Sequence, residues 1–225
     1  MNYICALFHI SMAEELFEQL AFEPNALFEK MIEDLMDRHY SVVPDFLSAA
    51  ETESLKAELL RNYHDDAFKK AAIGNQFNEQ IRASIRGDFI LWLDRESQQN
   101  AERLFLTKID GWVAYLNKTC FLGIAESEFH YALYPEGTFY KRHLDTFQHD
   151  DRRRLSVICY LNPADWQQAD GGELVIYTTR NGEEHPVTIY PWPGQLVVFE
   201  SQVLEHEVLP ARRNRLSITG WLKTR

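Results

Sequence analysis

Cysteine is scarce: Cys5, Cys120 and Cys159 are the three in 225 residues, an odd, scattered set with no CxxC spacing. That excludes a disulfide framework and a thiolate zinc site. Cys159 lies in the apolar run Leu155–Leu161 and is expected to be a small buried hydrophobe. No stretch of about 20 apolar residues occurs, so no membrane-spanning helix is expected. The segment Met1–Ile10 is weakly apolar but has no basic start and runs into acidic residues, unlike a secretory leader. A cytoplasmic protein is the expectation. Positive charge is also in deficit, with Lys+Arg 23 against Asp+Glu 34 and a formal net charge of -11. Such a surface repels a phosphate backbone, so no nucleic-acid partner is expected. Two local basic clusters, Arg152-Arg153-Arg154 and Arg212-Arg213, read as solvated loops that could still meet an acidic protein.

What is present suits one domain, or one domain with a helical extension. Hydrophobic residues make up 45% and aromatics 13%, enough for a sizeable core. The first third has helical periodicity. Ser11 and Glu14 form a capping-box pattern, and Leu27, Phe28, Met31, Ile32, Leu35 and Met36 define one apolar stripe. A short strand, Tyr40–Val43, precedes a helix opened by Ser48 and Glu51. A further helix is predicted from Ser97 to Asn117, with Leu104, Phe105, Ile109, Trp112, Val113 and Leu116 on one face. Between these helices lies a strand-like Phe89–Leu93.

From Glu126 the period changes to two. Predicted strands are Glu126–Tyr134, Phe139–His143, Leu155–Leu161, Glu173–Thr178, His185–Ile189, Gln195–Phe199, Glu205–Val208 and Leu216–Leu222. Turn residues such as Asp170-Gly171-Gly172 and Asn181-Gly182 separate them. Eight short strands after a run of helices predict an α+β fold, a double-sheet jelly roll packed on helices.

The chemistry gathers at His143-Leu144-Asp145 and His206. Two imidazoles and one carboxylate on one face of an octahedral metal leave three positions open, the donor set of non-haem iron(II). Residues i and i+2 of an extended segment point the same way, so His143 and Asp145 would face together and Leu144 into the apolar layer. His149-Asp150-Asp151 offers a rival His-x-Asp, but it lies in a hydrophilic run that reads as a hairpin loop. His9, His39, His64, His130 and His185 read as structural or surface residues. On the last strand Arg215, Ser217, Thr219 and Trp221 share one face, and Leu216, Ile218 and Leu222 the other. An arginine pointing into a barrel is costly unless it binds something, and its fork matches a carboxylate.

Together these segments resemble the 2-oxoglutarate-dependent prolyl hydroxylases, nearest the oxygen-sensing type and its bacterial relatives. The likeness rests on Tyr134-Pro135, Tyr140–Asp145, Tyr160-Leu161-Asn162, Gly171–Leu174, His206-Glu207-Val208 and Arg215–Trp221, with Ile85–Asp88 upstream. It implies a double-stranded β-helix domain over residues 40–225; the helical extension expected over residues 1–39 has no clear counterpart in the family. It further implies iron(II) on His143, Asp145 and His206, with 2-oxoglutarate on Arg215 and Tyr160, supported by Tyr134 and Thr219. Asp88, Arg154 and Trp221 would line or shape the substrate side, and the loop between Ala71 and Asp88 would act as a lid. Oxygen would be the co-reactant and ascorbate the reductant. The implied reaction is hydroxylation of a prolyl residue in a protein, with elongation factor Tu as the bacterial candidate. Hydroxylation of another amino acid or small metabolite is the enzymatic alternative, and a silent metal- or partner-binding jelly roll the alternative of another class.

Overall fold

The computed structural model describes residues 23–71, 85–146, 152–180 and 182–225. The Ser11–Glu14 capping box, nearly all of the expected lid and the rival His149–Asp151 lie outside these residues.

Among the described residues three α-helices, interspersed with short strands, precede Ile124. α1 (Ala26–Arg38) starts where the Asn25 side chain accepts from the Leu27 and Phe28 backbone N–H groups. α2 (Ala49–His64) opens on the capping box read from Ser48 and Glu51, with both reciprocal hydrogen bonds made. α3 (Asn100–Thr119) buries Phe105, Ile109, Trp112 and Leu116. Three residues assigned to apolar stripes are instead exposed: Leu27, Met36 and Leu104. Met36 lies about 140° round from Met31, and Leu104 about 100° from Phe105, too far to share one narrow face.

The strands are β1 (Tyr40–Val43), β2 (Lys69–Lys70), β3 (Phe89–Trp92), β4 (Ile124–Tyr134), β5 (Tyr140–His143), β6 (Arg153–Tyr160), β7 (Leu174–Arg180), β8 (Glu183–Ile189), β9 (Leu196–Glu200), β10 (Glu205–Val208) and β11 (Arg215–Thr224). They form a seven-stranded sheet in the order β1-β9-β6-β11-β4-β3-β2 and a four-stranded sheet in the order β5-β10-β7-β8. Strands β4 to β11 divide evenly between the two sheets, and every pairing is antiparallel. This is the expected jelly roll, with all eight later strands present.

Alternation along the strands sorts the two faces of the large sheet. Its outer face (Phe129, Tyr131, Leu133, Leu155, Val157, Cys159, Leu196, Val198, Leu216, Ile218 and Leu222) packs with the three helices in one core. Met31 and Leu35 of α1 belong to that core, so this helix shares it with the residues that follow Tyr40. The inner face carries Ala132, Tyr134, Ile158, Tyr160, Val197 and Phe199, which pack with Leu174, Ile176 and Val208 of the small sheet.

Candidate active site

A cavity of about 440 Å³ opens between the sheets. The small sheet supplies its two histidines. His143 ends β5 and is the cross-strand partner of His206 on β10, with ring centroids 4.2 Å apart. Asp145 follows just beyond the strand. Its Oδ1 lies 3.4 Å from His143 Nε2 and its Oδ2 lies 3.7 Å from His206 Nε2. One ligand atom from each of the three residues lies within 4.8 Å of the others, the spacing a shared metal ion needs.

The tautomers suit that use. His143 Nδ1 stands 2.7 Å from the Lys141 carbonyl and His206 Nδ1 stands 3.3 Å from the Leu204 carbonyl. Each Nδ1–H can donate to its carbonyl, which leaves the Nε2 lone pair facing Asp145. Burial pushes the His206 imidazole down to about 4, which keeps it neutral and able to ligate at neutral pH. Burial alone would raise the Asp145 pKa, but His206, His143 and the Ser156 hydroxyl together hold it well below the usual carboxylate range. Ser156 Oγ donates to Asp145 Oδ2 at 2.7 Å and also meets Ser201 Oγ at 2.8 Å. Thus the large sheet braces a carboxylate that belongs to the small-sheet side. Tyr140 stacks on His143 with centroids 3.6 Å apart, and Phe199 meets His206 edge-on.

The large sheet supplies a second polar centre. Arg215 is 1% exposed, opposite Tyr134 in the β11–β4 ladder. Its guanidinium lies 5.1 Å from the Tyr134 ring and 5.0 Å from the Tyr160 ring. Arg215 Nε donates to the Gly172 carbonyl at 2.9 Å. Gly172 has a positive φ, and a Cβ there would come within 3.0 Å of the arginine side chain, so only glycine permits this approach. Arg215 Nη2 and the Tyr160 hydroxyl are buried without a hydrogen-bond partner, and no carboxylate pairs with Arg215 among the described residues. Burial pushes the Tyr160 pKa up, so its hydroxyl keeps its proton and remains a donor. A buried cation with idle donors beside it is costly unless an anion completes it, and a carboxylate fits both donors. Thr219 lines the same cavity four residues along β11.

A family model described as the 2OG-Fe(II) oxygenase superfamily matches residues 129–223, the span that holds the three ligand candidates and Arg215. A crystal structure of a prolyl 4-hydroxylase from Pseudomonas putida is 39% identical, covering 88% of this chain and 99% of that one at a TM-score of 0.78. The chain belongs to the 2-oxoglutarate/iron(II)-dependent prolyl hydroxylase family. A Trichoplax adhaerens prolyl hydroxylase, solved with a hypoxia-inducible-factor peptide fragment, is 28% identical over 88% of this chain and 89% of that one, with a TM-score of 0.77. The viral collagen prolyl hydroxylase of Paramecium bursaria Chlorella virus-1 is 16% identical over 84% of this chain and 98% of that one at a TM-score of 0.56, and shares the fold. As a member of this family the chain is a dioxygenase that uses iron(II), 2-oxoglutarate and oxygen. The donor set and the idle Arg215–Tyr160 pair fit the metal and the cosubstrate respectively.

Several hydroxylase residues sit differently from their expected positions. Arg154 is exposed and does not line the cavity; Arg153 does, with its guanidinium 3.5 Å over the Trp221 ring. The ladder explains this. Leu222 pairs with Leu155, but Lys223 pairs with Arg153, so Arg154 is the extra residue of a β-bulge. One extra residue flips the alternation and swings Arg153 onto the Trp221 face. Asp88 is buried at 1% exposure and does not line the cavity either. It holds Arg86, which does, through Nε–Oδ1 at 2.7 Å and Nη2–Oδ2 at 2.5 Å. Burial opposes charge on Arg86, but the Asp88 bonds outweigh it and raise the Arg86 pKa. Leu144, expected in the apolar layer, is 39% exposed at the cavity, because β5 ends at His143 and no ladder fixes the next side chain.

Sequence reasoning also passed over His130 and Trp92. His130, across the ladder from Thr219, is 2% exposed and lines the cavity between Trp92 and Trp221, at centroid distances of 4.9 and 5.6 Å. Its place on the Thr219 face of β4 was available in the alternation; its partnership with Trp92 was not.

Proposed function

We propose that this enzyme hydroxylates a prolyl residue of a protein or peptide, consuming 2-oxoglutarate and oxygen and releasing succinate and carbon dioxide. The observation that carries the reading is the placing of two complementary centres in one cavity: His143, Asp145 and His206 on one side, and on the other Arg215, without a carboxylate partner among the described residues and backed by the buried Tyr160, whose ring lies 5.0 Å from the guanidinium. His143 Nε2, Asp145 and His206 Nε2 hold iron(II), with Ser156 fixing the carboxylate and the two backbone carbonyls fixing the imidazoles. Arg215 and Tyr160 bind the distal carboxylate of 2-oxoglutarate, and Tyr134 and Thr219 pack beside it. When bound, the metal and cosubstrate supply the oxidising power.

The chain's own contribution is position and exclusion of water. Trp221, Arg153 and the Asp88-braced Arg86 form the substrate side, and Leu144 overhangs the cavity. No acid–base residue is assigned, since the reaction at a C–H bond needs none from the protein. The likeness to prolyl 4-hydroxylases supports proline as the residue attacked, and a translation factor such as elongation factor Tu is the proposed target, which sets the reaction in the cytoplasm. Ascorbate serves as reductant.

The test is mass spectrometry of proline-containing peptides and of purified elongation factor Tu after incubation with iron(II), 2-oxoglutarate and ascorbate. Gain of one oxygen atom on proline, matched by succinate, is expected. Succinate release stimulated by a small metabolite and by no peptide would overturn the prolyl reading.

A further inference from the structure

The cavity has a charged rim that the reaction itself does not use. β2 is the outermost strand of the large sheet and pairs with β3 alone. Its two residues, Lys69 and Lys70, are exposed and both line the cavity. Several other cations near the sheets are matched: Arg86 with Asp88, Arg142 with Glu184 and Glu205, Arg153 and Lys223 with Glu128, and Lys108 with Glu51. Lys69 and Lys70 have no carboxylate within ion-pair distance among the described residues.

Among the described residues that line the cavity, Lys69, Lys70, Arg86, Arg153 and Arg215 are cationic and Asp145, turned to the two imidazoles, is the one carboxylate, while Asp88 and Glu128 match Arg86 and Arg153 from outside the lining. In a chain with Asp+Glu 34 against Lys+Arg 23, this is a local reversal of sign. Lysines on a sheet edge also discourage self-pairing. That role asks for charge anywhere along an edge, whereas here both residues border the cavity, Lys69 pairs across the ladder with the cavity-lining Ile90, and an edge strand is where an extended segment can add.

We propose that Lys69 and Lys70 form a docking edge for an acidic, extended segment of the substrate polypeptide, so that the preferred target carries Asp or Glu close to the hydroxylated proline. This rests on the prolyl-hydroxylase reading above. The two lysines attract the segment and set its register; the chemistry stays with the buried centres. Exposed charge pairs are each worth up to a factor of about five in affinity, so two give roughly tenfold or somewhat more. Because the lysines are exposed, the preference is screened by salt.

Two fluorescently labelled peptides decide it, alike around one central proline but flanked by Asp and Glu in one and by Lys in the other. Each is titrated against wild type and Lys69→Glu/Lys70→Glu by anisotropy, and each is assayed for hydroxylation by mass spectrometry. The acidic-flanked peptide is expected to bind wild type about tenfold tighter, to lose that preference in high salt, and to lose or reverse it in the double variant. Hydroxylation of both peptides with equal affinity, or a preference that survives charge reversal, overturns the docking edge and leaves the prolyl reading standing. Hydroxylation of neither peptide, nor of any protein in a cell extract, overturns both.

Discussion

The two faces of β11 are built to opposite rules. Toward the helices it presents Leu216, Ile218 and Leu222, all buried in one apolar core. Toward the cavity it presents Arg215, Ser217, Thr219 and Trp221, with the Arg215 Nη2 and the Trp221 indole N–H lacking hydrogen-bond partners. One face is satisfied by packing alone, while the other is left incomplete until a ligand arrives. A single strand thereby joins the part of the molecule that supplies stability to the part that spends some of it on binding, and the two functions should separate under mutation.

The largest expected effect falls on the apolar face. Ile218→Ala should cost about 2–5 kcal/mol of stability through lost burial and a residual cavity. Denaturant unfolding measures that loss, and 2-oxoglutarate affinity of the folded protein should barely change. Arg215→Met should do the reverse, raising KM for 2-oxoglutarate by roughly ten- to a hundredfold, as loss of a charge-assisted hydrogen-bonded pair implies, with folding retained. Equal stability losses from both substitutions would erase the distinction between the faces.

The bulge at Arg154 gives a finer comparison. Arg153→Ala should raise KM for a peptide substrate about tenfold by removing a charge-assisted contact, while Arg154→Ala should leave it unchanged. The opposite ranking would contradict a bulge at Arg154.

The smallest effect concerns pH. Burial pushes the His130 imidazole, across the ladder from Thr219, from 6.5 down to about 3. A depressed histidine pKa means that the unfolded chain takes up the proton first. The stability gained by keeping His130 neutral is complete above 6.5 and drains away as pH falls toward 3. His206 adds to the same decline down to about 4. Thermal midpoints measured across this range should fall less steeply in His130→Phe than in wild type.

Much of this was legible in the sequence because the signals were local. Alternating residues marked the eight later strands, the Ser48–Glu51 box marked the start of α2, and the parity of β11 separated Arg215 from Ile218. What escaped depended on non-local pairing. The bulge that exchanges Arg153 for Arg154 exists only in the ladder with β11. Asp88 carries a motif, yet its partner Arg86 is the residue that reaches the cavity. Lys69 and Lys70 form a two-residue strand, too short for any period to show, and gain meaning only from the sheet they border. For Leu144 the alternation rule was applied one residue past the end of its strand, where no ladder holds the side chain.

The central claim is that His143, Asp145 and His206 hold the iron that turns over 2-oxoglutarate. Succinate release with iron(II) and ascorbate, compared between wild type, Asp145→Ala and Asp151→Ala, tests it most directly. The account predicts that turnover is lost in Asp145→Ala and kept in Asp151→Ala. Turnover kept in Asp145→Ala, or lost in Asp151→Ala alone, would contradict it.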